Sequence, residues 1–256
     1  MDTIHSEENN YVYEVGLDGR YEPYDFWLSL NGLYDLYAYS LKLFGNLEDK
    51  SVLDCGCGRG HTSIMMAKHG AKVTAFDLSE EDIAIAQMLT KKNNVDIELS
   101  SQRIEEMSYP DNQFDYVFGA CILHHVDLVS TCKEINRVLK PNAKAVFIEN
   151  SARNVFLMMA RKWIVGAFGI PKYGDDDEEH PLTKQELQIL IENFPGQVIV
   201  HHPDFLFFRL LDFYILQKKS VIITKILKMM DKIIGMIPII NQYGYFQVIE
   251  FKMAAN

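Results

Sequence analysis

Between residues 51 and 150 the chain alternates between two hydrophobic rhythms. Short apolar runs near 51–55, 72–76, 95–99, 114–119 and 143–149 predict buried strands. Between them, apolar residues at helical spacing predict helices near 61–69, 80–93 and 127–139. Ser79, followed by Glu81 and Asp82, has the chemistry of a helix start. Pro141-Asn142 marks a turn. Strands alternating with helices predict a parallel sheet covered on both faces. Upstream, residues 26–44 carry aromatics at helical spacing that suit packing on that sheet, and residues 1–10 are polar and read as disordered.

The C-terminal third breaks the rhythm. Residues 151–170 are apolar and helix-like, and the acidic run 175–179 reads as a solvated loop and not a metal site. Thr183 with Glu186 three residues later forms a capping-box pattern. A strand at 197–201 follows. Residues 204–237 are a long insertion of two helices, broken near Lys219-Ser220 and ended by Pro238. A last strand at 245–252 returns to the sheet. The expectation is one α/β domain over 1–256, doubly wound around a mostly parallel sheet. Residues 1–45 would form an aromatic and helical lid; 151–182 and 203–242 would form a helical cap.

Composition narrows the classes. A net charge of −10 over 256 residues argues against general nucleic-acid binding, which needs a basic face. Hydrophobic residues at 48% and charged residues at 23% suit a globular domain. Four cysteines without a CxxC pair read as reduced thiols, which points to a cytoplasmic setting. The polar, acidic start does not read as a signal peptide, and no run of about 18 uncharged apolar residues predicts a spanning helix.

The chemistry concentrates in Val52-Leu53-Asp54-Cys55-Gly56-Cys57-Gly58-Arg59-Gly60, a strand end followed by a glycine-rich turn and a helix. Such turns let backbone N–H groups approach a ligand. A pyrophosphate loop of GxGxxG type disfavours a neighbouring negative charge. Here the spacing is GxGxG, and Asp54 stands two residues before the first glycine, so a cationic ligand is favoured over a nicotinamide dinucleotide. Asp77, at the end of the next strand, lies at the spacing where an acid meets ribose hydroxyls. S-adenosylmethionine, with an ammonium, a sulfonium and a ribose, fits both acids.

With these residues in place, the stretch 51–150 resembles the class I S-adenosylmethionine-dependent methyltransferases of small-molecule type. The resemblance implies the Rossmann-like methyltransferase fold, with a mostly parallel seven-stranded sheet whose last strand is antiparallel, and S-adenosylmethionine as methyl donor, with S-adenosylhomocysteine as product. It implies that Asp54, Gly56, Cys57 and Gly58 surround the methionine part, that Asp77 takes the ribose, and that Leu78 lies beside the adenine. Ile104 and Glu105 match the segment whose backbone touches the adenine edge, and Ala120 closes the fourth strand of the site. Two departures stand out: Arg103 where relatives often carry an acid, and Asn142-Ala143 where a glycine pair is usual.

His124 and His125 fall where donor and acceptor meet in that fold. His124 is the candidate general base, needed only if the acceptor must lose a proton; the alternative is that both histidines cap or pack. The expected substrate is a small, apolar or aromatic metabolite methylated on oxygen or nitrogen. Residues 209–232 hold six basic groups and two acids on an amphipathic pattern. That leaves open a peripheral membrane contact through 204–237, with a lipid or quinone as acceptor, against a cap packed on the domain. A protein that binds the donor without turnover is a further alternative, and nothing in the sequence sets the oligomeric state.

Overall fold

The computed structural model describes residues 34–164, 180–216 and 220–253. The tyrosines expected in a lid before residue 34, and the acidic run 175–179, lie outside the described residues. Seven strands form one sheet: β1 (Ser51–Cys55), β2 (Lys72–Asp77), β3 (Ile97–Ser101), β4 (Phe114–Ala120), β5 (Leu139–Asn150), β6 (Gln197–His201) and β7 (Phe246–Lys252). Their order is β3-β2-β1-β4-β5-β7-β6. β1 to β5 pair in parallel, and β7 runs antiparallel to both β5 and β6. The chain winds outward from β1 to β3, then crosses to β4 on the other side of β1. The carboxyl ends of β1 and β4 therefore flank a topological switch point, the place where open α/β sheets hold ligands.

Helices α1 (Tyr34–Phe44), α2 (His61–Lys68), α3 (Glu80–Lys92) and α4 (Leu128–Val138) accompany the first five strands. α5 (Val155–Trp163), α6 (Lys184–Asn193), α7 (Phe208–Leu211), α8 (Val221–Gly235) and α9 (Pro238–Asn241) follow. Side chains alternate across the sheet. Leu53, Val117, Phe147 and Ile249 pack on one face with Cys132, Ile135 and Leu190 from α4 and α6. Val52, Val146, Ile148 and Val248 pack on the other with Leu36, Tyr37 and Phe44 of α1. Leu36, Tyr37 and Phe44 thus belong to the core.

Local chemistry sets several boundaries. Ser79 accepts from the Asp82 N–H, and Thr183 with Glu186 closes a full capping box. Three positions differ from the sequence expectation. β3 starts at Ile97, two residues late. β5 begins at Leu139, directly after α4, so Pro141-Asn142 lies inside the strand. A left-handed Asn142 (φ 61°) and a register shift against β4 absorb the bend there. Pro238 does not end a helix: α8 stops at Gly235, and Pro238 opens α9, where its missing N–H costs nothing. α7 leads into a π-helical turn, Asp212–Leu216.

Candidate active site

β1 delivers Asp54 to the switch point as a buried carboxyl, hydrogen-bonded by Ser63 Oγ of α2 at 2.6 Å. Burial pushes Asp54 up to about 7; the Ser63 bond opposes this, and the charge of Asp77 adds to it. The following turn uses three left-handed glycines, Gly56 (φ 65°), Gly58 (φ 50°) and Gly60 (φ 82°). A methyl on Gly56 would stand 2.7 Å from Ile122 Cδ1, so the turn and the loop after β4 are in close contact. A methyl on Gly58 would meet no described atom within 4 Å, so the backbone face there is open. Cys57 N–H donates to the Phe76 carbonyl at 2.9 Å, which ties the turn to β2. Burial, with the nearby carboxyl of Asp54, holds the Cys57 thiol far above its ordinary range.

Asp77 completes this half. Its Oδ2 accepts from Gly58 N–H at 2.8 Å and its Oδ1 from Ser79 N–H at 2.9 Å. Leu78, next to it, is a large apolar side chain left 63% exposed. After β3, the Ile104 side chain is in the core, so only its backbone is left to face the rim. Glu105 Oε1 accepts from Arg103 Nη2 at 3.1 Å and from Asp127 N–H at 3.3 Å, binding the turn after β3 to the start of α4. That oxygen is engaged within the protein. Glu134 and Arg137 of α4 fix the next residues: Met107 N–H donates to Glu134 Oε2 (2.7 Å), and Arg137 Nη2 donates to the Met107 carbonyl (2.9 Å).

The other half forms after β4. Ala120 ends the strand, Cys121 turns with φ 55°, and Leu123–His125 make one 3₁₀ turn. Glu149 of β5 organises all of it. Its Oε1 accepts from Ile122 N–H (2.8 Å) and Leu123 N–H (2.7 Å), and its Oε2 lies 2.8 Å from His124 Nδ1. The His124 and Glu149 side chains are 5% and 0% exposed. His125 and His180 complete an imidazole cluster, with ring centroids 4.0 and 6.5 Å from that of His124.

Asp54, Gly56, Cys57, Gly58, Asp77 and Leu78 therefore converge at the ends of β1 and β2, and Ala120 and His124 join them from β4. Ser63 and Glu149 are the residues that sequence reasoning missed. Ser63 reads as an ordinary helix residue, and Glu149 as the polar end of an apolar run.

Residues 53–147 match the family model of the methyltransferase domain. A ubiquinone biosynthesis O-methyltransferase of Aeromonas salmonicida (strain A449) is 33% identical over 150 residues, covering 56% of this chain and 61% of the relative. The chain spans about half to three fifths of the length of the first curated relatives it matches. Among solved structures, a SAM-dependent methyltransferase from Aquifex aeolicus superposes with a TM-score of 0.58 at 18% identity, over 98% of this chain and 100% of that one. A geranyl diphosphate methyltransferase solved in complex with SAM gives a TM-score of 0.58 at 16% identity, over 88% of this chain and 87% of that one. Residues 53–147 thus match a methyltransferase domain, and the strand order and overall fold are those of S-adenosylmethionine-dependent methyltransferases.

Proposed function

We propose that this protein transfers a methyl group from S-adenosylmethionine to a hydroxyl oxygen of a small, apolar or aromatic acceptor, with His124 as general base. The residues at the switch point suit the donor. Asp54 is a buried acid whose charge is disfavoured until a cation stands near it, which matches the donor's ammonium. Gly56, Cys57 and Gly58 offer backbone to the methionine part, and Asp77 the bonds for the ribose. Leu78, with the backbone of Ile104, offers an apolar shelf for the adenine; Ala120 lines the approach from β4. Glu105 ties its loop through Oε1 and stands beside Ile104 in the segment that would meet the adenine edge.

The donor supplies an already activated methyl group, so the protein's work is alignment and management of the acceptor's proton. The His124–Glu149 pair carries the assignment to oxygen. Glu149 Oε1 is held by two N–H donors, which leaves Oε2 to accept from His124 Nδ1–H. That tautomer turns the Nε2 lone pair away from Glu149, ready to take a proton from a hydroxyl. The Aeromonas salmonicida relative, named for O-methylation, supports the same reading.

A second reading concerns where the acceptor comes from: a lipid or quinone presented at a bilayer surface. It is favoured by the outward apolar face of α8 and by the relative's link to ubiquinone biosynthesis. No described helix is long and apolar enough to cross a membrane, so this contact would be peripheral.

The test uses 4-alkylcatechols as acceptors, with S-adenosylhomocysteine formation as readout. Methylated product and S-adenosylhomocysteine are expected in equal amounts. His124→Gln should lower kcat by about 10²–10⁴ with donor affinity unchanged. Turnover on amine acceptors alone, or full activity of His124→Gln, would contradict the oxygen assignment.

A further inference from the structure

α8 divides its surface into three strips. Asp231 is fully buried and sets the helix's rotation: its carboxylate accepts from the N–H groups of Phe207 (2.9 Å), Phe208 (2.8 Å) and Arg209 (3.0 Å), and from Arg209 Nε (3.0 Å). Arg209 is held in turn by Asp204. With Asp231 pinned inward, Ile222, Ile226, Met229 and Ile233, at spacings of 4, 3 and 4 residues, must share an outward face. All four are exposed, Ile222 by 72%. Lys225, Lys228 and Lys232 are exposed along the border of that stripe.

The apolar surface continues beyond α8. Met236, Ile237 and Ile239 carry it into α9, with Ile239 74% exposed. The residues just after α9 are bonded to the start of α5: Arg153 Nη1 donates to Gln242 Oε1 (2.9 Å), and Asn154 Nδ2 to the Tyr243 carbonyl (2.9 Å). α5 then exposes Phe156 (78%), Met159 and Trp163. In a chain of net charge −10, residues 153–164 and 220–243 carry six cations and one acid, and that acid is the buried Asp231. A protein partner or second copy of this acidic chain could cover the apolar stripe, but the cationic border has a specific complement in an anionic lipid surface.

The geometry points to α8, α9 and α5 as a docking surface for an anionic bilayer, with α8 lying in the plane of the interface. This deepens the reading of a bilayer-borne acceptor, because α5 follows directly from β5, whose Glu149 holds His124. An apolar acceptor dissolved in the bilayer would meet the site at the rim that touches the membrane.

The experiment is flotation of the full chain with phosphatidylcholine vesicles, with and without about a third phosphatidylglycerol. Calorimetry with S-adenosylhomocysteine serves as the control for folding. The wild type should float with the anionic vesicles and release at about 1 M salt, where screening is nearly complete. Ile222→Glu/Ile233→Glu should reduce partitioning at least tenfold. Lys225→Glu/Lys228→Glu/Lys232→Glu should reduce it at least about a hundredfold, from roughly fivefold per lysine lost. Wild type remaining at the bottom, stripe variants that float as well as wild type, or a stripe variant that only turns a dimer into a monomer would each overturn the proposal. These readouts need no turnover, so failure here is distinct from failure of catechol methylation.

Discussion

At the residue scale, Asp54 is the most informative group. Its carboxyl is pushed to about 7 in the folded chain, against an ordinary 3.8. The folded protein thus keeps a proton there, between about pH 4 and 7, that the unfolded chain has lost. On this group alone, stability without ligand falls as pH rises through that window. A cation bound beside Asp54 favours the ionised form. Donor binding at pH 6 should therefore release close to one proton from Asp54, and at pH 8.5 none from that group, with affinity rising up to about pH 7 and levelling above it. Calorimetry at pH 6 in two buffers of different ionisation heat measures this. A binding heat at pH 6 that is the same in both buffers would show that Asp54 does not meet the cation. Asp54, Gly56, Gly58 and Asp77 were legible in the sequence because they sit in one strand–turn–helix–strand unit, where spacing alone fixes their neighbourhood. Glu149 was not legible. It meets His124 only because β4 and β5 pair in register, and 25 residues separate the two in the chain. Glu105 shows the converse, since its motif position gave no hint that Arg103 and Asp127 share one of its carboxylate oxygens.

At the element scale, α8 holds a lesson about amphipathic patterns. Its apolar and basic strips were visible in the sequence, but periodicity does not say which strip faces inward. The buried Asp231 decides it, and in the sequence that residue is merely one acid among lysines. Removing it should be costly, because three backbone N–H groups lose their acceptor and the partly buried Arg209 keeps only Asp204. Asp231→Ala is expected to destabilise the packing of α8 against residues 207–209 by about 3–5 kcal/mol. Asp231→Asn keeps an oxygen for the N–H groups and should cost less. Thermal and urea unfolding of the two variants check this; an Asp231→Ala protein as stable as wild type would remove the anchoring role. Pro238 teaches the same caution. A proline after a helix reads as a stop, yet here it is the first residue of the next helix, and only the geometry after Gly235 shows which.

At the scale of the whole molecule, the sheet was legible because buried parallel strands must be continuous apolar runs. The antiparallel return of β7 was not carried by that pattern; it came from the resemblance to a known family. The two halves of the site differ for the same reason. Asp54, Gly56, Gly58 and Asp77 come from consecutive elements, while His124, after β4, is held by Glu149 of β5 and meets His180 from far along the chain. Long-range assembly of that kind leaves no local spacing to read. The molecule also segregates its charge, acidic overall but cationic along α5 and α8, and that separation emerges only when sequence positions are placed on surfaces.

The central claim is that the switch point is built for a cationic sulfonium donor and not for a phosphate-bearing nucleotide. Isothermal titration of the purified protein with S-adenosylmethionine, S-adenosylhomocysteine and NADH tests it most directly, with Asp77→Ala alongside. One donor site is predicted, bound by both sulfur compounds and weakened by about 1–3 kcal/mol in Asp77→Ala through lost ribose bonds. No heat with either sulfur compound, together with tight binding of NADH, would contradict it.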